Sequence, residues 1–447
     1  MRRAVLVALV VVLAGCSAPV FDGGPVFGGS DHPEAPPGGD TIGWESGYWY
    51  DDPVSVTTED GLNESERDAV VARTMARVEQ IREREFTEPV PVEIISRAAY
   101  RNRSRGNGSA AGPPEDPWND QVWEALVLIG EDAGSSEAID DTFSTTVQGF
   151  YSPSEDRIVI VSPTETPQID RATLAHELVH ALQDQQFGLS GSPETQDTQL
   201  ARQGVVEGEA NYIRALYERR CEDGWDCIDR PERSGGGGGG SVNAGLFTVV
   251  FQPYATGPTF VYQVRQRGGW DAVDALHENV PDSSEQVLHP EKYPDEKPVD
   301  VTVRDRSTDE WERFDHDPVG DTVGEASIFA TMYHNNQTQS DRYSYDSEIS
   351  AGWGGDTVVP YRNGDGEFGY VWQTTWDTEA DAREFAAAYR AILVEERGAT
   401  NPRANVYVVP EDDPFADAFR VVRRGETVRI VNGPAVADLD AIHRPVG

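Results

Sequence analysis

The sequence predicts an α+β protein, with a larger domain of helices and a short hairpin followed by a smaller α+β region. Two patterns carry that reading. Between residues 62 and 298 apolar residues recur at helical spacing in several long stretches, while strand-like runs are few. From residue 299 to 447 the balance reverses, and short alternating runs surround one helical stretch. A chain of 447 residues with 38% hydrophobic content is long enough to build two such cores.

The N-terminus is read first as an address. Arg2 and Arg3 precede the apolar run Ala4 to Ala14, which is too short to span a bilayer and has the layout of a secretory signal. The run closes with Leu13-Ala14-Gly15-Cys16, which resembles the lipobox of exported lipoproteins, so residues 1–16 are expected to be a signal peptide with Cys16 as the lipidation site. A buried free thiol is the alternative. The paired arginines also resemble a twin-arginine export signal. Residues 17–61, rich in Gly, Pro and Asp, are expected to be a flexible tether. The expected location is therefore the outer face of the cell membrane, with the membrane itself a partner through lipid.

Thirty-seven Lys plus Arg against 78 Asp plus Glu give a net charge of −41, spread along the chain. Such a surface argues against a nucleic-acid partner. Salt near 1 M shortens the Debye length to about 3 Å and relieves the self-repulsion, which points to a salt-adapted source. Arginine supplies every basic residue except Lys292 and Lys297.

The elements follow in order. Asn63 to Phe86 spaces Val70, Met75, Val78 and Ile81 as a helix, and Val90 to Ile95 reads as a strand. A helix is expected around Trp118 to Ile129, then a hairpin from Gly149-Phe150-Tyr151 and Arg157 to Val161. Helices are expected over about 170–186, 198–219, 254–266 and 271–279, with a Gly-rich break at 235–240. Beyond 299, strands are expected near 357–361, 370–375 and 428–431, around a helix over 379–396. Cys221 and Cys227 flank a short loop that an oxidising exterior would close into a disulfide; metal ligation by the pair is the weaker alternative.

The chemistry concentrates in His176-Glu177-Leu178-Val179-His180. Residues four apart on a helix lie one above the other, so two imidazoles can address one ion, which is half of a tetrahedral zinc site. The alternative is two histidines on a solvated helix face. Ala175, Leu178, Val179, Ala181 and Leu182 leave that helix almost apolar, which speaks against it. Glu177 projects about 100° from His176. It suits a general base that takes a proton from a water held by the metal and passes it to a leaving amine. The third ligand is sought in Glu207-Gly208-Glu209 on the next helix, whose two glutamates lie about 200° apart, so one alone can face the ion. Glu207 is chosen because its neighbours Gln203, Ala210 and Asn211 are small or polar, and Gly208 would let two helix backbones approach closely.

His176 to Asp184 resembles the active-site helix of thermolysin-like peptidases of the gluzincin group. Glu207-Gly208-Glu209-Ala210 is similar to the ligand-bearing segment of that group's aminopeptidase branch. The resemblance implies a zincin-like metallopeptidase domain, zinc as cofactor and Glu207 as its third ligand. It also places Asn211 where those enzymes carry an aspartate that orients the first histidine, with Asp184 as a second residue behind the ligands. As a whole the chain resembles haloarchaeal surface lipoproteins with a similar His-Glu-Leu-x-His segment, from about residue 60 onward.

A peptidase also needs a donor for the oxyanion of the attacked carbonyl, and His289 and Tyr293, in a polar Pro-bounded segment, are the candidates; local capping and packing is the other reading. The expected function is a cell-surface zinc-dependent peptidase acting on peptides or proteins. The rival is a surface binding or structural lipoprotein that keeps zinc as a staple.

Overall fold

A computed structural model describes residues 35–37, 39–54, 56, 61–107, 115–162, 168–191, 193–231 and 242–445. The signal segment with Cys16 lies outside them. The architecture is mixed α+β. The first elements are β1 (Trp44–Glu45) and β2 (Tyr48–Trp49), which pair antiparallel inside the stretch expected to be tether. They are held against α1 (Glu64–Arg82): the Arg77 guanidinium donates to the Tyr50 carbonyl at 2.7 Å, and the Gly43 amide donates to Glu79 at 2.9 Å. Short aromatic runs such as Trp49-Tyr50 were the signal that this end of the tether packs.

After α1 come β3 (Val92–Ser96), α2 (Arg97–Asn107), α3 (Pro117–Ala125), α4 (Ser135–Thr146), β4 (Gly149–Ser152) and β5 (Arg157–Ser162). The three strands form one sheet in the order β3-β5-β4, with β3 parallel and β4 antiparallel to β5. α5 (Arg171–Phe187) lies on this sheet and is buried from Ala172 to Gln183. Its apolar sequence all round is the signature of a central helix, not an amphipathic surface one. Asp170 caps it by accepting from the amides of Ala172 and Thr173.

α6 (Gln196–Asp223) returns along α5, and α7 (Ala244–Glu278) crosses α6. The crossing is glycine on glycine. A Cβ on Gly208 would stand 2.6 Å from the Gly257 carbonyl, and one on Gly257 would stand 2.5 Å from the Gly204 carbonyl oxygen. α7 breaks at Gly268 and Gly269, whose backbone leaves the helical region, so two helical segments meet there as expected; the first begins at Ala244, ten residues earlier than expected, and runs through Pro253 and Pro258. Tertiary packing of Leu246, Val249 and Phe251 overrides the local cost of the prolines. The disulfide Cys221–Cys227 ties the last turn of α6 to the loop that follows it.

The rest of the chain gives α8 (Ser284–Leu288), β6 (Trp311–Arg313), α9 (Gly324–His334), β7 (Trp353–Asn363), β8 (Phe368–Trp376), α10 (Glu379–Ala391) continued by a π-helical turn, β9 (Thr400–Arg403), β10 (Val406–Val408), β11 (Ala418–Arg424), β12 (Thr427–Gly433) and α11 (Asp438–Ile442). Seven strands pair in the order β6-β7-β8-β12-β11-β10-β9. Trp372, Trp376, Phe385 and Tyr389 knit α10 to one sheet face. The region beyond residue 299 packs on the first, because Trp118, Val122 and Leu246 share one apolar cluster with Phe329, Trp372 and Ile430.

The α6–α7 crossing yields a test. Gly208→Ala drives a methyl into backbone that cannot step aside, and is expected to cost about 1–3 kcal/mol or more in denaturant unfolding at high salt. A variant as stable as the parent would mean the helices are not so close.

Candidate metal centre

α5 and α6 bring His176, His180 and Glu207 together, all 0% exposed. The two Nε2 atoms stand 2.9 Å apart, and Glu207 Oε2 lies 3.2 Å from His176 Nε2 and 3.4 Å from His180 Nε2. A tetrahedral zinc with bonds of about 2.0–2.1 Å has ligand–ligand edges of about 3.3–3.4 Å. The two edges to the carboxylate match these values and the Nε2–Nε2 edge is shorter, so a slight parting of the rings admits a zinc ion, which the chemistry of two imidazoles and a carboxylate also suits. Among the described residues Glu207's oxygens accept no hydrogen bond of good geometry, and the ring nitrogens of His176 and His180 stand beside them. Burial without compensation of this kind is costly unless a cation joins the group.

Glu177 lies beside the triad and is buried, with neither carboxylate oxygen in a hydrogen bond of good geometry; the Tyr151 amide of β4 is the backbone group turned toward it. Gly149 keeps that strand close, since a Cβ there would be 3.3 Å from Glu177 Oε1. Burial pushes the Glu177 carboxyl up to about 8. Burial also drops His176 to about 4; at His180 burial is again the largest single influence, but the charge and hydrogen bond of Glu207, the Glu177 charge and the Gln183 hydrogen bond together outweigh it and lift the ring to about 9. One proton thus sits on the His180 side of the triangle, and Glu207 is held ionised by it.

Support reaches the centre from α1. His180 Nδ1 faces Gln183 Oε1 at 2.9 Å; the Gln183 amide donates to the Val206 carbonyl at 3.0 Å and to Glu209 at 2.7 Å. Glu209 is gripped by Arg82 and by His277 Nε2 at 2.7 Å. Arg82 also pairs with Asp274. The two glutamates of α6 therefore divide as their angular separation requires, Glu207 to the triad and Glu209 to the arginine. Gln183 was missed from sequence, although its position three residues past His180 put it on the same face. Arg214, two turns beyond Glu207, was also missed; its charge is felt at His176.

The remaining expected residues sit elsewhere. Asn211 donates to the Glu207 carbonyl at 3.0 Å, the i−4 acceptor of its own helix, instead of reaching His176, whose Nδ1 has no partner. Asp184 accepts from the Tyr151 hydroxyl at 2.9 Å and the Leu189 amide at 2.7 Å, closing the end of α5. His289 pairs with buried Glu325 at 3.1 Å, and that carboxylate lifts its pKa. Tyr293 donates to the Asn279 carbonyl at 2.6 Å and packs edge-on against Phe260. Both are committed to capping and packing. Two further carboxylate groupings, Glu124 with Glu131 and Asp417, and Glu285 with Glu296 and Asp377, contain no histidine, and Lys292 already neutralises the second.

Two measurements follow. Ligands must shed protons to bind metal, and His180 and Glu177 both carry one at pH 7, so zinc uptake there should release about one to two protons. The release should vanish above pH 9. Calorimetry in buffers of different ionisation enthalpy reads this, and zero release at pH 7 would contradict it. Gln183→Leu should weaken zinc about 10- to 100-fold by freeing the His180 ring, as metal-competition titration would show; unchanged affinity would remove Gln183 from the centre.

Residues 312–443 match a family model described as Domain of unknown function (DUF8575), which takes in the seven-stranded sheet from β7 onward with α9 to α11 and none of the triad. No curated protein and no solved structure matches the chain.

Proposed function

We propose that the chain is a zinc-dependent peptidase with a zincin-like catalytic domain. The observation that carries this reading is the triangle of His176, His180 and Glu207 with a second, unpartnered carboxyl at Glu177 beside it. Zinc, when bound, supplies Lewis acidity that polarises a carbonyl and acidifies water to a pKa of about 7. Glu177 takes the proton of the attacking water as its oxygen bonds to the peptide carbon, then returns it to the amine nitrogen as the C–N bond breaks. Among the described residues β4 has one strand neighbour, and an extended peptide can add to such an edge by main-chain hydrogen bonds. That fits a peptide or protein substrate. The signal-like run Ala4 to Ala14 and Cys16 support a location outside the cell on a lipid anchor; no described helix is long and apolar enough to cross a membrane.

The second reading is zinc as a structural staple in a surface binding protein. Complete burial of all four side chains favours it, since structural zinc sites are closed. It leaves Glu177 without a purpose, because a staple gains nothing from a buried acid that has no partner.

Metal analysis with a peptide-library digest at high salt, comparing the parent with Glu177→Gln, separates the two. The enzyme reading expects equal zinc and cleavage lowered about 10²- to 10⁴-fold in the variant. Equal zinc with no cleavage by either protein would establish the staple.

A further inference from the structure

Strand register gathers three arginines on one face of the seven-stranded sheet. Arg420 and Arg424 are four apart on β11 and share a face; Arg429 of β12 pairs with Val422, which lies between them. With His443, just past α11, they line a cavity of about 90 Å³ that has no acidic side chain in its described lining. In a chain with 78 acidic and 37 basic residues, that composition is an anomaly.

Arg420 and Arg429 differ in what holds them. Arg420 is bound by Asp440 and by the Leu439 and His443 carbonyls. Arg429, however, has a neutral partner: its Nε donates to Gln373 Oε1 at 3.0 Å and its Nη2 to the same oxygen. Like charges facing one another across strands repel. An independent observation is His443, 2% exposed, with neither ring nitrogen in a hydrogen bond. Burial, then the charges of Arg429, Arg306, Arg420 and Arg313, hold its pKa down at about 4, so the ring is neutral with one unused N–H. An anion in the cavity would take that N–H and offset the guanidinium repulsion.

We propose that this cavity binds a small oxyanion of the phosphate or sulfate class, held by Arg424 and Arg429 on the sheet face and by the His443 ring. Planar guanidinium donors match such oxygens. The volume is well below the roughly 300–1,000 Å³ of a small-molecule pocket, which restricts the ligand to an ion or one protruding group. The site uses no element of the metal centre and belongs to the segment matched by the domain of unknown function.

Equilibrium dialysis of the full chain with labelled inorganic phosphate, and separately sulfate, in concentrated potassium chloride tests this. One saturable site per chain is expected for at least one of the two ions, weakened at least tenfold by Arg429→Gln and by Arg424→Gln while zinc content holds. Arg424 is exposed, so its variant keeps the test meaningful should Arg429→Gln disturb the fold. No saturable uptake of either ion, or uptake that either substitution leaves unchanged, would overturn the proposal.

Discussion

Two imidazole nitrogens and a carboxylate oxygen stand within 3.4 Å of one another in a dry interior, and the surrounding fold is arranged around that fact. Such a cluster is unfavourable unless something positive shares it. In the protein alone a proton on His180 serves; a divalent cation serves better, because it satisfies all three atoms at once. The buried, unpartnered carboxyl of Glu177 raises the cost of leaving the site without a cation. Its position against the backbone of β4 ties the chemistry to a sheet edge.

Behind the triangle α6 and α7 come unusually near, and the sequence meets this with Gly204, Gly208 and Gly257 where their backbones touch. Holding the triangle also demands that the histidine rings not rotate. Gln183 fixes His180, Glu209 fixes Gln183, and Arg82 with His277 fixes Glu209, so a chain of buried polar contacts runs from α1 to the ligand. Removing one partner of a buried pair costs about 3–5 kcal/mol. The centre is thus coupled to the stability of the helical half.

How much of this was legible depended on whether the signal was local. The His-x-x-x-His spacing needs only the 3.6-residue turn to place two rings together, and the 200° between Glu207 and Glu209 needs only the same geometry to separate their tasks. The α+β character and most helices followed from periodicity. Asn211, Asp184, His289 and Tyr293 were misjudged for a different reason. Each found a nearer partner, a carbonyl one turn back, a hydroxyl, a buried glutamate or a loop carbonyl, which no spacing rule reveals. The course of α7 through Pro253 and Pro258 and the packed hairpin at Trp44–Trp49 are tertiary outcomes of the same kind.

The proposed chemistry requires that His176, His180 and Glu207 hold a zinc ion. X-ray absorption at the zinc edge of the purified full chain addresses that directly. One zinc per chain is expected, with nitrogen and oxygen neighbours at about 2.0–2.1 Å, two of them showing imidazole scattering. Sulfur at about 2.3 Å, or a spectrum that Glu207→Ala leaves unaltered, would contradict it.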